Sequence, residues 1–514
     1  MRLSIFISTV FIFFLTSPAI AQNETEQETD KIKPVSISFI SEITAHPPLQ
    51  YDGTSEIDKQ AIRTISNLVE ALNNNPEINL TVSLPPATLS SLSHSKIKEN
   101  ENLLLELKNL AKKQLHIISS PFVTSDPESW RLINSFENYN DLLKRGDLQI
   151  TNQLQIQPDR SFAFISKSAV IETLEVLSKL GIKNFITENS HIDPKPNNET
   201  NPLINLKNQK GEKFDVLFSD SKINSYLDGI KNNSTEMEDL VTNLSSLLMN
   251  KSVEEKNVIV KIPFNVSAEN LNKIFESFTT ISNLRIKPLP SLVENLNQEN
   301  LSDNNEYFLW NNSSKDLSEI GPAQNLAKAA IDAYSEVIGS PHPNTSFLYE
   351  LLATTSAAEL VEEQISSYYK TIYEEIVKII DSFTSPKNQN VRLTSRKAEL
   401  PFTLINNLTH EANVSLILQS DGRISFPEGQ TFEVKLNPGT NKIKIPVSSR
   451  TSGNSQIRIG VRSPDKNHLL QLDSNSLSIT TTRLSGVGIL LFVGAVFFLA
   501  FWWLRSRRLR SINK

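Results

Sequence analysis

Apolar positions along this chain follow two periods, and the change falls near Ser385-Pro386. Before it, short β-branched runs alternate with helical stretches. Residues 35–40 (VSISFI), 78–84, 115–119, 183–187, 213–218, 257–262 and 284–287 read as strands. Between them, Ile62, Ile65, Leu68, Val69 and Leu72 recur at helical spacing over 57–72, and Val170, Leu174, Val176, Leu177 and Leu180 over 166–180, where Gly181 stops the helix. Further helices are expected over 103–112, 237–249 and 268–278. Seven such alternations predict parallel strands with helical crossovers, at the size of a closed or nearly closed α/β barrel over 34–290. An open doubly wound sheet is the alternative. The polar stretch 190–213 interrupts the pattern after the fourth predicted strand, and reads as a solvated insertion rather than a lid.

Two helical stretches follow, 323–338 and 346–383. The second carries Tyr368, Ile372, Ile376, Ile379 and Phe383 on one stripe. We expect the segment 291–384 to pack on the barrel. From 388 the period becomes two: Phe402/Leu404, Val414/Leu416/Leu418, Phe432/Val434/Leu436, Ile443/Ile445/Val447, Ile457/Ile459/Val461 and Leu477/Ile479. Turn signals at Asp421-Gly422, Pro427-Glu428-Gly429, Pro438-Gly439 and Ser452-Gly453 separate them. About seven short strands at even spacing predict an immunoglobulin-like β-sandwich over 388–482.

The stretch 486–504 has no charged residue, ends in Trp502-Trp503 and is followed by Arg505, Arg507, Arg508 and Arg510. As a helix it would reach about 28 Å, close to the hydrocarbon thickness of a bilayer. The basic flank orients the tail 505–514 to the cytoplasm and everything before the span outside. Residues 1–21 read as a signal peptide, with Ala19-Ile20-Ala21 as cleavage site, and 22–33 as a disordered leader. The expected protein is a single-pass membrane protein whose sandwich lifts the barrel off the bilayer.

Composition narrows the chemistry. The 514 residues include no Cys, which removes disulfides, thiolate metal sites and a Cys nucleophile, and fits a bacterial envelope. Net charge is −6 with no basic face before the tail, which argues against nucleic acid as a partner. No glycine-rich phosphate loop follows any strand, and no cofactor is implied.

A zinc deacetylase wants converging His and Asp ligands, yet no two of the seven His are three to five residues apart. His46 follows the first predicted strand and His191 the fourth, which gives the two a route to meeting. A glycosidase wants two carboxylates across a cleft. Glu188 at the end of a strand, Asp126 and Glu128 after the third strand and Asp220 after the fifth are the candidates. No G-x-S-x-G is present. Trp130 and Trp310 are either sugar-stacking platforms or core residues, with core the expectation for each.

The stretches LPFTLINNL (400–408), LNPGTNKIKIPVSSRTSGNSQIRIGVRSPD (436–465), SPFVTSDPESW (120–130) and ISKSAVIETLEVLSKLGIKNFIT (165–187) resemble a family of uncharacterised actinobacterial membrane-anchored envelope proteins. The resemblance implies a barrel of glycoside hydrolase or polysaccharide deacetylase type on an immunoglobulin-like C-terminal domain, and transfers no catalytic residue. The missing motifs favour a non-catalytic envelope protein that binds cell-wall glycan or acts as a scaffold. An active glycan hydrolase or deacetylase, and a membrane partner of wall synthesis or export machinery, are the alternatives.

Overall fold

The computed structural model describes residues 35–196, 201–230, 240–242, 256–281, 283–298, 306–310, 312–339, 341–387, 389–481 and 493–503. The expected signal peptide, the leader and Arg505, Arg507, Arg508 and Arg510 lie outside them, as does most of the helix expected over 237–249.

The N-terminal half is built from two mainly parallel sheets. In the first, β1 (Val35–Glu42) lies between β9 (Lys256–Lys261) on one edge and, on the other, β2 (Leu80–Ser83) and β10 (Leu284–Ile286), with β3 (Leu115–Ile117) beyond β2. Strand β1 pairs with β10 through residues 35–37 and with β2 through 39–42, so the two share its edge. In the second sheet, β4 (Phe162–Phe164), β5 (Asn184–Glu188) and β8 (Lys213–Ser219) run parallel, and β7 (Leu203–Lys207) adds antiparallel to β8.

The two sheets meet at two seams. At one, Ile118 bridges Asp159, with Ser119 N donating to Asp159 O at 3.0 Å and Asp159 N to Ile117 O at 2.9 Å. At the other, Asp220 N donates to Ile259 O at 2.9 Å. Period-two alternation then sorts each strand's side chains. One face carries Ile40, Phe162, Ile186, Leu217 and Ile259, which gather with Ile118 and with Leu289, Leu292, Val293 and Leu296 of the helix Leu289–Gln298 into one cluster. The opposite face packs on surrounding helices. Phe39, for example, meets Phe275 and Phe278 of the helix Ala268–Thr279 edge-on at 5.6 and 5.0 Å.

Several elements differ from the sequence expectation. Strand β4 precedes the helix expected over 166–180, which is only Ile171–Ser178. Three residues are too few to register a period, so β4 is invisible in sequence. Glu188 consequently ends the fifth strand, not the fourth. The insertion 190–213 is not merely solvated: β7 lies within it, with Leu203, Ile204 and Leu206 buried. The long helix over 346–383 is two helices, Pro343–Thr354 and Glu362–Ile380, broken where buried Thr355 and Ser356 turn the chain. Tyr368, Ile372, Ile376 and Ile379 are all buried as the stripe requires, whereas Phe383 sits in β12 (Phe383–Thr384).

The C-terminal half is two sheets face to face. One is ordered β12, β14 (Lys397–Asn406), β18 (Gly439–Ser449), β16 (Ile424–Ser425). The other is β13 (Asn390–Leu393), β20 (Gln471–Thr481), β19 (Gly453–Arg462), β15 (Ala412–Ser420), β17 (Thr431–Leu436). Gly439 and Gly453 open their strands with φ of 88° and 127°, conformations that favour glycine. The helices Ile320–Ile338, Pro343–Thr354 and Glu362–Ile380 join the halves through one continuous apolar cluster. Within it Ala358 N donates to Thr124 O at 2.8 Å, and Asn413 Nδ2 to Glu336 O at 3.4 Å.

Residues 493–503, the described part of the expected span, are helical and exposed. Among the described residues no helix is long and apolar enough to cross a membrane.

Candidate functional site at the barrel mouth

Parallel strands end at the same side of a barrel, so the last inward residue of each strand points into a shared mouth. On β1 the inward series Ser36, Ser38, Ile40 ends at Glu42. On β9, Asn257 and Ile259 lead to Lys261, which lies opposite Ile40 in the ladder. On β5, Ile186 leads to Glu188. These three charges converge. Lys261 Nζ stands 3.2 Å from Glu188 Oε1 and 3.8 Å from Glu42 Oε2. Those two oxygens therefore lie no further apart than both distances together, 7.0 Å. Lys167, from the loop after β4, adds a second cation 3.1 Å from Glu188 Oε2.

The two carboxylates are driven apart. At Glu42 burial dominates and pushes the carboxyl up, and the negative charge of Glu188 adds to it against the pull of Lys261. At Glu188 burial also pushes up, but the Lys261 charge and the bonds from Lys167 and Lys261 outweigh it and hold the carboxyl below the ordinary range. Glu188 is the ionised member, Glu42 the one that takes up a proton first.

Along one rim runs a short ribbon in which β6 (Ile192–Asp193) pairs antiparallel with β11 (Phe308–Leu309). It is tied down on both flanks. Trp310 N donates to His191 O at 2.7 Å, and Asn312 N to Lys167 O at 2.9 Å. Phe308 and Trp310 remain 62% and 61% exposed.

The other candidates fall elsewhere. Asp126 caps the helix Pro127–Leu132 and accepts from Ser129, Ser166 and Ser168 hydroxyls, stitching two loops together. Glu128 is buried in a two-bond pair with Arg131 at 2.7 Å. Asp220 accepts from Lys222 N and Ile223 N, both at 2.9 Å, as the cap of the helix Ser221–Ile230. All three carboxylates hold backbone or pair with a neighbour, and only Glu188 opens on the mouth. His46 is exposed, 3.9 Å from Glu359. His191 is buried, with Nδ1 at 2.8 Å from Thr187 Oγ1, and burial holds it below the usual histidine range. No contact joins the two histidines, and among the described residues no three His, Asp or Glu side chains gather as metal ligands would. Trp130 is fully buried, its Nε1 donating to Ser125 Oγ at 2.9 Å. Trp310 breaks with the core expectation.

Sequence reasoning missed Glu42, Lys261 and Lys167. The signal was present for the first two: each is the charge that closes an apolar strand, in VSISFISE and KNVIVK.

The fold is thus a multidomain α/β protein whose two parallel sheets form a barrel-like body, with a polar mouth at the strands' C-terminal ends. The chain belongs to a family of unknown function, DUF6049, whose model matches residues 124–502. No curated protein matches it in sequence. Among solved structures it is weakly similar to the α-amylase AmyC of Thermotoga maritima, at 9% identity and TM-score 0.44, covering 67% of this chain and 94% of that one. It is likewise similar to a 4-α-glucanotransferase of Thermococcus litoralis (12%, 0.43, covering 84% and 85%). A third is a putative polysaccharide deacetylase of Mycobacterium smegmatis (11%, 0.35, covering 52% and 91%).

Proposed function

We propose that this is a membrane-anchored envelope protein that binds cell-wall glycan at the barrel mouth without turning it over. The observation that carries the reading is Trp310. A large aromatic ring normally buries itself, and this one stays 61% exposed on a ribbon fixed to the rim beside Lys167. An exposed indole offers a stacking face for a pyranose ring, and the Lys167, Glu188, Lys261 and Glu42 side chains of the mouth offer donors and acceptors for hydroxyls. The pairing of Glu188 with two lysines supports binding over catalysis, since a carboxylate held ionised by two cations is a poor proton donor.

In this reading residues 388–482 are an immunoglobulin-like stalk, 486–504 span the membrane, and Arg505, Arg507, Arg508 and Arg510 hold the tail in the cytoplasm. The exposed helix 493–503 supports the anchor: Phe497, Phe498, Phe501 and Trp502 are each more than 60% exposed, a surface suited to lipid.

One observation favours a second reading, an active glycan hydrolase. Glu42 and Glu188 are two carboxylates with divided proton affinities, and the 7.0 Å limit between their facing oxygens admits the spacing of a glycosidase pair. Sedimenting the full-length chain in detergent with isolated peptidoglycan and wall polysaccharide, while assaying released sugar and acetate, separates the two. Saturable binding without release, weakened by Trp310→Ala, is expected. Release abolished by Glu188→Gln would replace binding by hydrolysis. Absence of both would remove glycan from the account.

A further inference from the structure

A second cavity, of about 300 Å³, lies away from the mouth, between the helices Phe136–Leu154, Ile320–Ile338 and Pro343–Thr354. Leu142, Leu148 and Leu352 line it with apolar surface. Arg145 stands at its centre of charge. Its guanidinium carbon is 5.5 Å from the Tyr349 ring centre and 5.9 Å from that of Phe122. The placement is enforced from behind. A Cβ on Gly146 would fall 2.0 Å from Ser120 O, so only glycine lets this helix press against residues 120–122.

Two features of the lining lack partners. Among the described residues the Arg145 guanidinium makes no hydrogen bond and no ion pair, only the two ring contacts. Of the two acids whose charge it feels, Glu350 makes no ion pair with it, and Asp141 is taken by Lys328 and by Lys144. Burial holds Arg145 below its ordinary range, against the charges of Glu350, Tyr349 and Asp141. The second feature is Gln324, 5% exposed. Its Nε2 donates to Ser356 Oγ at 2.5 Å and to Leu352 O at 3.3 Å, while Oε1 is buried with no partner. The Leu352 carbonyl fixes this orientation, because it can only accept.

We propose that this cavity binds a small hydroxylated organic carboxylate: the carboxylate on the Arg145 fork, the apolar body between Leu142, Leu148 and Leu352, and a hydroxyl donated to Gln324 Oε1. A planar guanidinium matches a carboxylate with two parallel bonds, and a half-buried site between elements is where small ligands lodge. The site is independent of the barrel mouth.

Calorimetric titration of the full-length chain with 4-hydroxybenzoate tests it. Saturable one-to-one binding is expected, weakened about tenfold or more by Arg145→Gln, the worth of one charged hydrogen-bonded contact. Leu148→Glu, at a position 58% exposed, is expected to weaken it similarly by placing a negative charge at the lip. Benzoate should bind less tightly than 4-hydroxybenzoate, phenol and inorganic phosphate more weakly still, and Trp310→Ala should change nothing. No saturable heat with 4-hydroxybenzoate overturns the proposal. So does binding that survives both variants, or inorganic phosphate binding equally well, which would reduce the site to a patch of charge.

Discussion

The barrel and the two-sheet C-terminal unit bury similar strands in opposite ways. Between the two sheets, the middle of β15 and β19 turns only fully buried aliphatic side chains inward: Val414, Leu416, Leu418, Ile457, Ile459 and Val461. Inside the barrel an apolar layer of Ile40, Ile186, Leu217 and Ile259 shares its strands with Ser36, Ser38, Asp215 and Asn257. Then come the charges of the mouth. A sheet pair needs only to exclude water, and repetition does that best. A barrel whose interior mixes buried Ser and Asn with charges gives up packing energy for polar groups that must each be satisfied. The unit with the more apolar interior fits the proposed support, and the unit that gathers charges at its mouth fits the proposed recognition.

The contrast breaks most sharply on substitution. Phe402 is fully buried between the sheets, and Phe402→Ala should cost about 3–5 kcal/mol in denaturant unfolding. A loss below about 1 kcal/mol would mean that the sheets are not packed as described. At the mouth the larger effect is electrostatic. Lys261→Met leaves Glu42 and Glu188 facing each other without their shared cation. The expected cost at neutral pH is about 1–2 kcal/mol, reduced because both carboxylates are over a third exposed. That cost should shrink as pH falls and the pair takes up a proton. A penalty independent of pH would show that Lys261 matters for packing alone.

The same contrast explains what could be read from sequence. Each two-sheet strand of six or more residues repeats period two, and the four turn signals fall where Gly422, Gly429, Gly439 and Gly453 take positive φ. Barrel strands are short and buried on both faces, so β4 left no period, and the helices Pro86–His94 and Phe136–Leu154 went unnoticed between them. The site was legible only at Glu188. Glu42 and Lys261 come from positions more than two hundred residues apart, and only the β1–β9 ladder brings them together. Asp126 and Asp220 looked the same as Glu188 in sequence, because a helix cap and an open carboxylate are both acids after a strand.

A smaller effect is expected at the barrel seam. His116 Nε2 meets Asp159 Oδ2 at 3.0 Å, and Ser161 donates from both N and Oγ to Oδ1. The His116 bond, against burial and with the Ser161 bonds, pulls the Asp159 carboxyl down from 3.8 to about 2. A depressed acid contributes stability that is complete above its ordinary value and is lost as pH falls through the folded one. Asp159→Asn should therefore cost about 1 kcal/mol at neutral pH, after allowance for its exposure, and nothing near pH 2, read from urea midpoints across that range.

The smallest effect is at the junction of the helices with the two-sheet unit. The rings of His342 and His410 lie 4.9 Å apart, and His410 Nε2 is buried without a partner. Burial, then the charge of His342, hold His410 below its ordinary 6.5. A depressed histidine works in the opposite sense to a paired one: the unfolded chain binds the proton more readily, so stability is complete above 6.5 and declines as pH falls below it. The slope should be shallow, under about 1 kcal/mol, because the ring is only partly enclosed. His410→Asn should flatten it, so that melting midpoints at about pH 5.5 and about pH 7.5 converge in the variant and differ in the parent. Equal slopes in the two proteins would assign the acid sensitivity of the junction to other groups.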